Sequence, residues 1–537
     1  MCGIALILGP RAPDAREQFA QMLATLAPRG EIQETGGGPG LLAGTQRLRI
    51  VDRDAAVQPW TSADGRWVLC FNGELFNYRE LAAELTALGT PPAGDGDTAV
   101  LAAAFAQWGE QAAARFRGEF AFAMADTGQQ RLYLARDPLG VKPLYWARRD
   151  GALHVASEIK ALVPLGAAVH EVPPGHHGWG GPAAGPELSA YRWLGPDTGA
   201  APELVSDPAE AAKLVRAAFE DSVRVRVDTD LTVGVILSGG LDSSLTLLHV
   251  AQMHPDCVAF TVGAPGSDDL RYARRLCADL GVPHEVVQLA PHRIGRPQIR
   301  AAIEMSELTE YGDIINAVVS VPLFARVAAA GVKVVLTGDG SDELFGGYPM
   351  YHRAGPEQAR RLFAHKLAHL ARTELQRVDR TSMGHGVEAR VPFLDPALVE
   401  LAGRLPLDLK VRDGQEKWIL REAFADLLPG YIRSRPKNPM SHSSGLHERA
   451  RLYKPLFPGL HRSAGYDLCA PVRRDFSAVL EACGNDLDLA VAQLAARPDY
   501  TAGERARDFA GALKWNAAGL ARAAAPRAGR ARRAAAP

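Results

Sequence analysis

The sequence predicts two fold classes in tandem: an α+β domain of packed sheets over residues 1–194, then a doubly wound α/β domain over residues 209–520 whose later part is mainly helical. Three observations predict this. Short β-rich runs at 67–71, 131–135 and 153–156 alternate with helical stretches near 79–88 and 99–108, a mixture that suits sheets packed with helices. Residues 195–208, GPDTGAAPELVSDP, concentrate Gly, Pro and Asp, the composition of a linker. Beyond them, strand candidates at 231–237, 258–262, 284–289 and 332–337 are spaced by helical stretches at 209–226, from Ser243 and at 268–280. That alternation marks a parallel sheet.

Past Pro356 the pattern is mainly helical to about Gly519, with no repeat of solenoid length. The last residues, 521–537, are basic and low in complexity, which predicts a disordered tail.

A chain of 537 residues is longer than one core usually spans. Its 47% apolar and 23% charged composition suits ordinary folded domains. A formal net charge of -1 provides no overall attraction to nucleic acid or an anionic membrane, so small-molecule substrates are expected and nucleic acid is not. Six cysteines without a C-x-x-C pair form neither a disulfide framework nor a zinc ribbon, and a reducing cytoplasm is the expected location. The opening MCGIALIL lacks a basic segment before its apolar run, unlike a signal peptide. Arg, Asp, Gly and Pro interrupt the apolar runs, so no stretch is expected to reach the roughly 20 residues of a spanning helix.

Cys2 stands one residue from the start. Removal of a methionine before so small a residue leaves the thiol beside its own α-amine. An α-amine of pKa about 7.7–8 can take the proton of a thiol of pKa about 8.5 through a water, without a histidine. Asn72-Gly73-Glu74 follows the strand expected to end at Phe71, so the Asn72 amide and Gly73 N–H can form an oxyanion hole, glycine permitting close approach. A free amino acid bound there presents a carboxylate and an ammonium. Arg47, opening RLRIVD, suits the first through a bidentate guanidinium; Glu74 and Asp97 suit the second, although GDGD taken singly also reads as a surface turn.

MCGI, RLRIVD, NGELFNY, GDGDTAV and RDPLGVKPLYW, in that order, resemble the class II glutamine amidotransferase domain over residues 1 to about 190. The resemblance implies an amino-terminal nucleophile-type sandwich. It also implies Cys2 as the nucleophile that forms a γ-glutamyl thioester and frees ammonia, with Arg47, Asn72, Gly73, Glu74 and Asp97 holding glutamine. One segment departs: the family usually shows His-Arg-Gly-Pro-Asp where this chain has Ala27-Pro28-Arg29-Gly30-Glu31.

Ser238-Gly239-Gly240-Leu241-Asp242-Ser243-Ser244 lies between a buried strand and a helix, where backbone N–H groups and the helix dipole stabilise phosphate. No Lys precedes its final Ser, so it is not a Walker loop; an ordinary glycine turn is the alternative. It resembles the loop of enzymes that cleave ATP between the α and β phosphates and leave AMP on the substrate. The resemblance implies that Leu237, Ser238, Gly239, Gly240, Asp242, Ser243, Ser244, Val262, Thr337, Gly338 and Lys417 contact ATP. The run TGDGSDELFGGY from Thr337 follows a strand end, the place where doubly wound sheets bind ligands. Asp242 and Asp342 are the candidates for Mg2+, a hard cation that takes oxygen ligands. A calcium loop is the rival, but the later bidentate glutamate is missing. Asp339, where the family more often has glutamate, is assigned to orienting the reacting carboxylate or a proton.

GVEARVPFLD, residues 386–395, resembles a segment characteristic of asparagine synthetases. Lys417 in EKWILR and Lys437 in RPK resemble the two lysines that the family places at the phosphates and the acyl-adenylate. The resemblance runs to residue 440 and implies ATP and Mg2+ as cofactors and glutamine plus aspartate, or another small carboxylate, as substrates; a homodimer is compatible with it. From NPMSHSSGLHERA onward the chain no longer follows the family closely. Three other readings stay open: a relative that amidates another acid or closes a β-lactam-type ring, a silent nucleotide or amino-acid sensor, and a simple glutaminase.

Overall fold

The computed structural model describes residues 1–9, 13–192, 194, 203–308, 310–437, 452–453, 476–496, 506, 510 and 513. Two six-stranded antiparallel sheets form the first half. One has the order β10-β8-β9-β1-β3-β2 and comprises β1 (Cys2–Leu8), β2 (Ile32–Gly38), β3 (Leu41–Arg47), β8 (Tyr145–Arg149), β9 (Ala152–Ala156) and β10 (Val169–Glu171). The other has the order β12-β11-β7-β6-β5-β4 and comprises β4 (Trp60–Thr61), β5 (Trp67–Leu75), β6 (Gly118–Asp126), β7 (Arg131–Arg136), β11 (His176–Gly180) and β12 (Glu187–Ala190).

Alternation of side chains along β5 explains how the sheets stack. Val68 and Cys70 face the filling between the sheets with Ile4, Leu6 and Leu8 of β1. Leu69, Phe71 and Leu75 face outward against the helices α2 (Tyr78–Ala87) and α3 (Asp97–Trp108). With a period of two, Asn72 and Glu74 share the inward face of Val68 and Cys70. β5 extends to Leu75, so Asn72-Gly73-Glu74 lies inside the strand rather than after it as the sequence suggested. The reason is tertiary: β6 pairs with β5 continuously from Trp67↔Asp126 to Leu75↔Gly118, and pairing overrides the weak strand preference of Asn and Gly. The remaining helix of this half, α1 (Ala15–Thr25), covers the outer face of β1 and β3.

The second half is built on a parallel five-stranded sheet, ordered β15-β14-β13-β16-β17. Its strands are β13 (Val233–Ile236), β14 (Cys257–Gly263), β15 (His284–Gln288), β16 (Val334–Leu336) and β17 (Glu388–Arg390). The helices around it include α4 (Pro208–Arg226), α5 (Leu241–Met253), α6 (Asp268–Leu280), α7 (Arg296–Ser306), α8 (Tyr311–Ala329), α9 (Ser341–Phe345), α10 (Pro356–His369) and α11 (Gln376–Met383). α4 begins at Pro208, capped by the Asp207 side chain accepting from Glu210 N at 2.8 Å, so the expected linker ends in a helix cap. Residues 195–202 and the basic tail at 521–537 lie outside the described residues.

α8 corrects the expectation of no membrane-length apolar stretch. Its residues Gly312–Ala329 are long and apolar enough to cross a bilayer, with mean hydropathy 1.4. Ile314, Ile315, Val318, Val319, Leu323, Phe324 and Val327 of this helix are buried in a core shared with Phe260 of β14 and Val335 of β16, which accounts for its composition. The same core includes Phe19, Met22 and Leu23 of α1, so apolar packing is continuous across the two halves.

Candidate active site

Cys2 is buried at 4% exposure and sits opposite Arg47 in the β1–β3 register. Its backbone N–H donates to Asn72 Oδ1 at 2.9 Å. Asn72 Nδ2 is buried with no hydrogen-bond partner among the described residues, so the amide that binds the Cys2 backbone keeps an unused donor. Gly73 has φ +151, and a Cβ there would lie 2.2 Å from Glu119 O; only glycine fits. Burial pushes the Cys2 thiol up, against the pull of the neighbouring chain ammonium.

The remaining predicted residues surround this pair with charge. Arg47 Nε lies 3.0 Å from Glu34, and its Nη1 donates to Arg53 O. Asp97, the first residue of α3, accepts from Leu75 N at 3.3 Å; burial pushes it up to about 6. Glu74 pairs with Arg390 at 2.6 Å. Burial pushes Glu74 up to about 8, and Arg390 is the largest influence in the opposite direction. The Met1 ammonium lies 3.1 Å from Glu388.

The second site lies at the carboxyl ends of β13 and β16, around a cavity of about 230 Å³. Ser238, Asp242, Ser243, Thr337, Gly338, Asp339, Asp342 and Lys437 are all on its wall. The loop before α5 is knitted by its own hydroxyls: Ser243 Oγ accepts from Ser238 N at 3.1 Å, and Ser238 Oγ accepts from Gly240 N at 3.2 Å. Gly239 has φ +69 and would press a Cβ to 2.7 Å from Tyr272. α5 starts at Leu241, two residues earlier than expected, which puts Asp242 in its first turn.

Lys417 Nζ joins the two facing loops, lying 2.5 Å from Asp242 and 2.6 Å from Asp342. Lys437 Nζ also pairs with Asp342. Burial works to raise Asp342, but Lys417 and Lys437 outweigh it and hold the carboxyl below its usual range. Asp339 pairs with Arg377 at 2.6 Å, and Arg377 in turn with Glu374 at 2.7 Å.

Leu237, Gly239, Gly240, Ser244, Val262 and Lys417 are not on the cavity wall. Leu237 and Val262 are buried at strand ends, and Ser244 is wholly buried one turn into α5. Lys417 joins the site through its pairing with the two aspartates. Sequence reasoning missed Arg377, Glu374, Glu388 and Arg390. The last two sit inside GVEARVPFLD, where two opposite charges within an apolar run are the signal that marks them.

Comparison with known proteins places these two sites in one context. A family described as a glutamine amidotransferase domain matches residues 1–174, and the asparagine synthase family matches residues 214–362 and 353–460. Asparagine synthetase B [glutamine-hydrolyzing] of Escherichia coli (strain K12) is 35% identical over 424 residues, covering 74% of each chain. The chain belongs to the glutamine-hydrolysing asparagine synthetase family. Asparagine synthetase [glutamine-hydrolyzing] 2 of Oryza sativa subsp. japonica is 34% identical over 83% of this chain and 78% of that protein. The corresponding protein of Sandersonia aurantiaca is 32% identical over 83% of this chain and 87% of that one.

As a family member the chain is an ATP-dependent carbon–nitrogen ligase with glutamine as the amide donor. The two sites therefore belong to the glutaminase and synthetase halves. The synthetase half offers two carboxylates to a cation, and no group of three or more His, Cys, Asp or Glu side chains is poised for a metal among the described residues. Two carboxylates suit Mg2+, which completes its shell with phosphate oxygens and water.

Proposed function

We propose that this chain converts aspartate to asparagine, with nitrogen from glutamine and activation by ATP. Asp242, Asp342 and Lys437 line one cavity that also holds Asp339, with Lys417 paired to both Asp242 and Asp342, and this convergence carries the reading. Two cations beside two anions provide for both the phosphates and the metal that accompanies them.

In the glutaminase half, Cys2 Sγ attacks the glutamine amide carbon. With Met1 removed, the Cys2 nitrogen beside Asn72 Oδ1 is the α-amine that takes the thiol proton. Asn72 Nδ2, with Gly73 N, stabilises the oxyanion, and the Cys2 α-ammonium returns its proton to the amide nitrogen as the adduct collapses to the thioester and expels ammonia. Arg47 holds the α-carboxylate of glutamine, while Asp97 and Glu74 face its ammonium. Water then releases glutamate from Cys2. Leu48, Ile50, Val334 and Met383 form an apolar cluster that spans the two halves, a water-poor region suited to the passage of neutral ammonia.

In the synthetase half, the loop at 238–244 and Thr337-Gly338 hold ATP. Asp242 and Asp342 would hold Mg2+, which supplies charge to offset the departing pyrophosphate. Lys417 and Lys437 offset charge on the phosphates and acyl-adenylate. Asp339, fixed by Arg377, orients the acceptor. Five free cysteines among the described residues suit a cytoplasmic enzyme.

Pyrophosphate release with magnesium-ATP, screened across amino acids, tests the acceptor. Aspartate should stimulate it most; stimulation by a β-amino acid instead would move the chain to the ring-closing branch.

A further inference from the structure

We propose that Arg390 is the positioning residue that couples the two reactions, its guanidinium holding Glu74 in the glutamine site and its backbone carbonyl holding Thr337 at the start of the nucleotide loop. Arg390 Nη2 donates to Glu74 Oε2 at 2.6 Å, Nε to Glu388 Oε1 at 2.6 Å and Nη1 to Arg226 O at 2.6 Å. Its carbonyl accepts from Thr337 N at 3.0 Å. The side chain is 1% exposed.

These contacts make a short rigid path. Glu74 is two residues from Asn72 on the same face of β5, and Asn72 Oδ1 accepts from the Cys2 backbone N–H at 2.9 Å. Arg390 is the last residue of β17, paired in register with Leu336 of β16, and Thr337-Gly338-Asp339 follows directly. A guanidinium held from three directions cannot follow a displaced Glu74 without moving its own backbone, and that backbone carries the hydrogen bond to Thr337. An ammonium arriving beside Glu74 is thereby felt where ATP binds. A purely structural ion pair would stabilise the fold without distinguishing the nitrogen sources.

This proposal rests on the glutaminase reading. Its test compares full-length wild type, Arg390→Lys and Glu388→Gln, which loosens Arg390 from its second carboxylate. Each is assayed with glutamine and with ammonium as the nitrogen source, with glutamate, AMP and asparagine all measured. Arg390→Lys should raise the glutamine KM about tenfold and increase glutamate released per asparagine formed, lowering glutamine-supported synthesis at least about fivefold more than ammonium-supported synthesis. Glu388→Gln should shift the same quantities in the same direction by less. Equal losses by both nitrogen routes, or an unchanged glutamine KM and product ratio, overturn the proposal. Wild type that releases no glutamate overturns the glutaminase reading itself, a distinct result.

Discussion

Arg29 of the glutaminase half lies 2.8 Å from Asp379 of α11 in the synthetase half, with both side chains buried. The same guanidinium reaches Glu158 at 2.6 Å and Cys2 O at 3.1 Å. Gly30, next in the chain, has no room for a Cβ against the Gln46 backbone, and Glu31 pairs with Lys333 at 2.8 Å. The segment that departs from the family's usual His-Arg-Gly-Pro-Asp therefore forms part of the joint between the halves, and it keeps the Arg-Gly pair whose space and charge that joint uses.

Arg29→Met should destabilise the folded chain by about 3–5 kcal/mol, because Asp379 and Glu158 would then lose a buried cation. Chemical denaturation monitored in both halves checks this. A change under about 1 kcal/mol would show that the pairing contributes as little as a surface bridge.

Cys2→Ala should abolish glutamine-dependent synthesis and leave ammonium-dependent synthesis intact. Asn72→Ala should lower glutaminase kcat by about 10²–10³-fold, the usual effect of removing one oxyanion donor. Steady-state assays with each nitrogen source measure both. An Asn72→Ala enzyme with wild-type kcat would remove that residue from the oxyanion hole.

Asp97 provides a pH signature. Burial raises it to about 6, so it is charged above that pH and neutral below. A substrate ammonium needs a charged carboxylate, and Glu74, raised to about 8, is neutral at the acid end, so glutamine kcat/KM should fall about tenfold per unit as pH drops below about 6. Asp97→Asn should lower the plateau and flatten that limb. An acid limb that survives the substitution would belong to another group.

Asp342→Asn should remove most AMP formation with either nitrogen source, since it takes one of the two carboxylates proposed for Mg2+ and a partner of both Lys417 and Lys437. Raising Mg2+ should recover part of the loss. Unchanged AMP formation would exclude Asp342 from the nucleotide site.

The two halves and the gathering of the candidate residues into two clusters are legible because those residues fall in short motifs with fixed local geometry. Ser238-Gly239-Gly240 sits between a strand and a helix, as its apolar run and glycines predict. Contacts between distant segments were not legible. Nothing near Glu74 announces Arg390, 316 residues away, and β17 is a three-residue strand with two charges among its three residues, too short and too polar for a periodicity reading. Local propensity at Asn and Gly ends β5 at Phe71, while the pairing with β6 that carries it to Leu75 comes from residues 118–126.

The most direct measurement supplies purified chain with magnesium-ATP, aspartate, glutamine labelled with 15N in its amide, and an equal concentration of unlabelled ammonium. Asparagine should appear in equal amounts with AMP and pyrophosphate, its amide enriched in 15N well above an even mixture. Glutamate released without AMP, or asparagine carrying only unlabelled nitrogen, would contradict the joining of the two halves into one reaction.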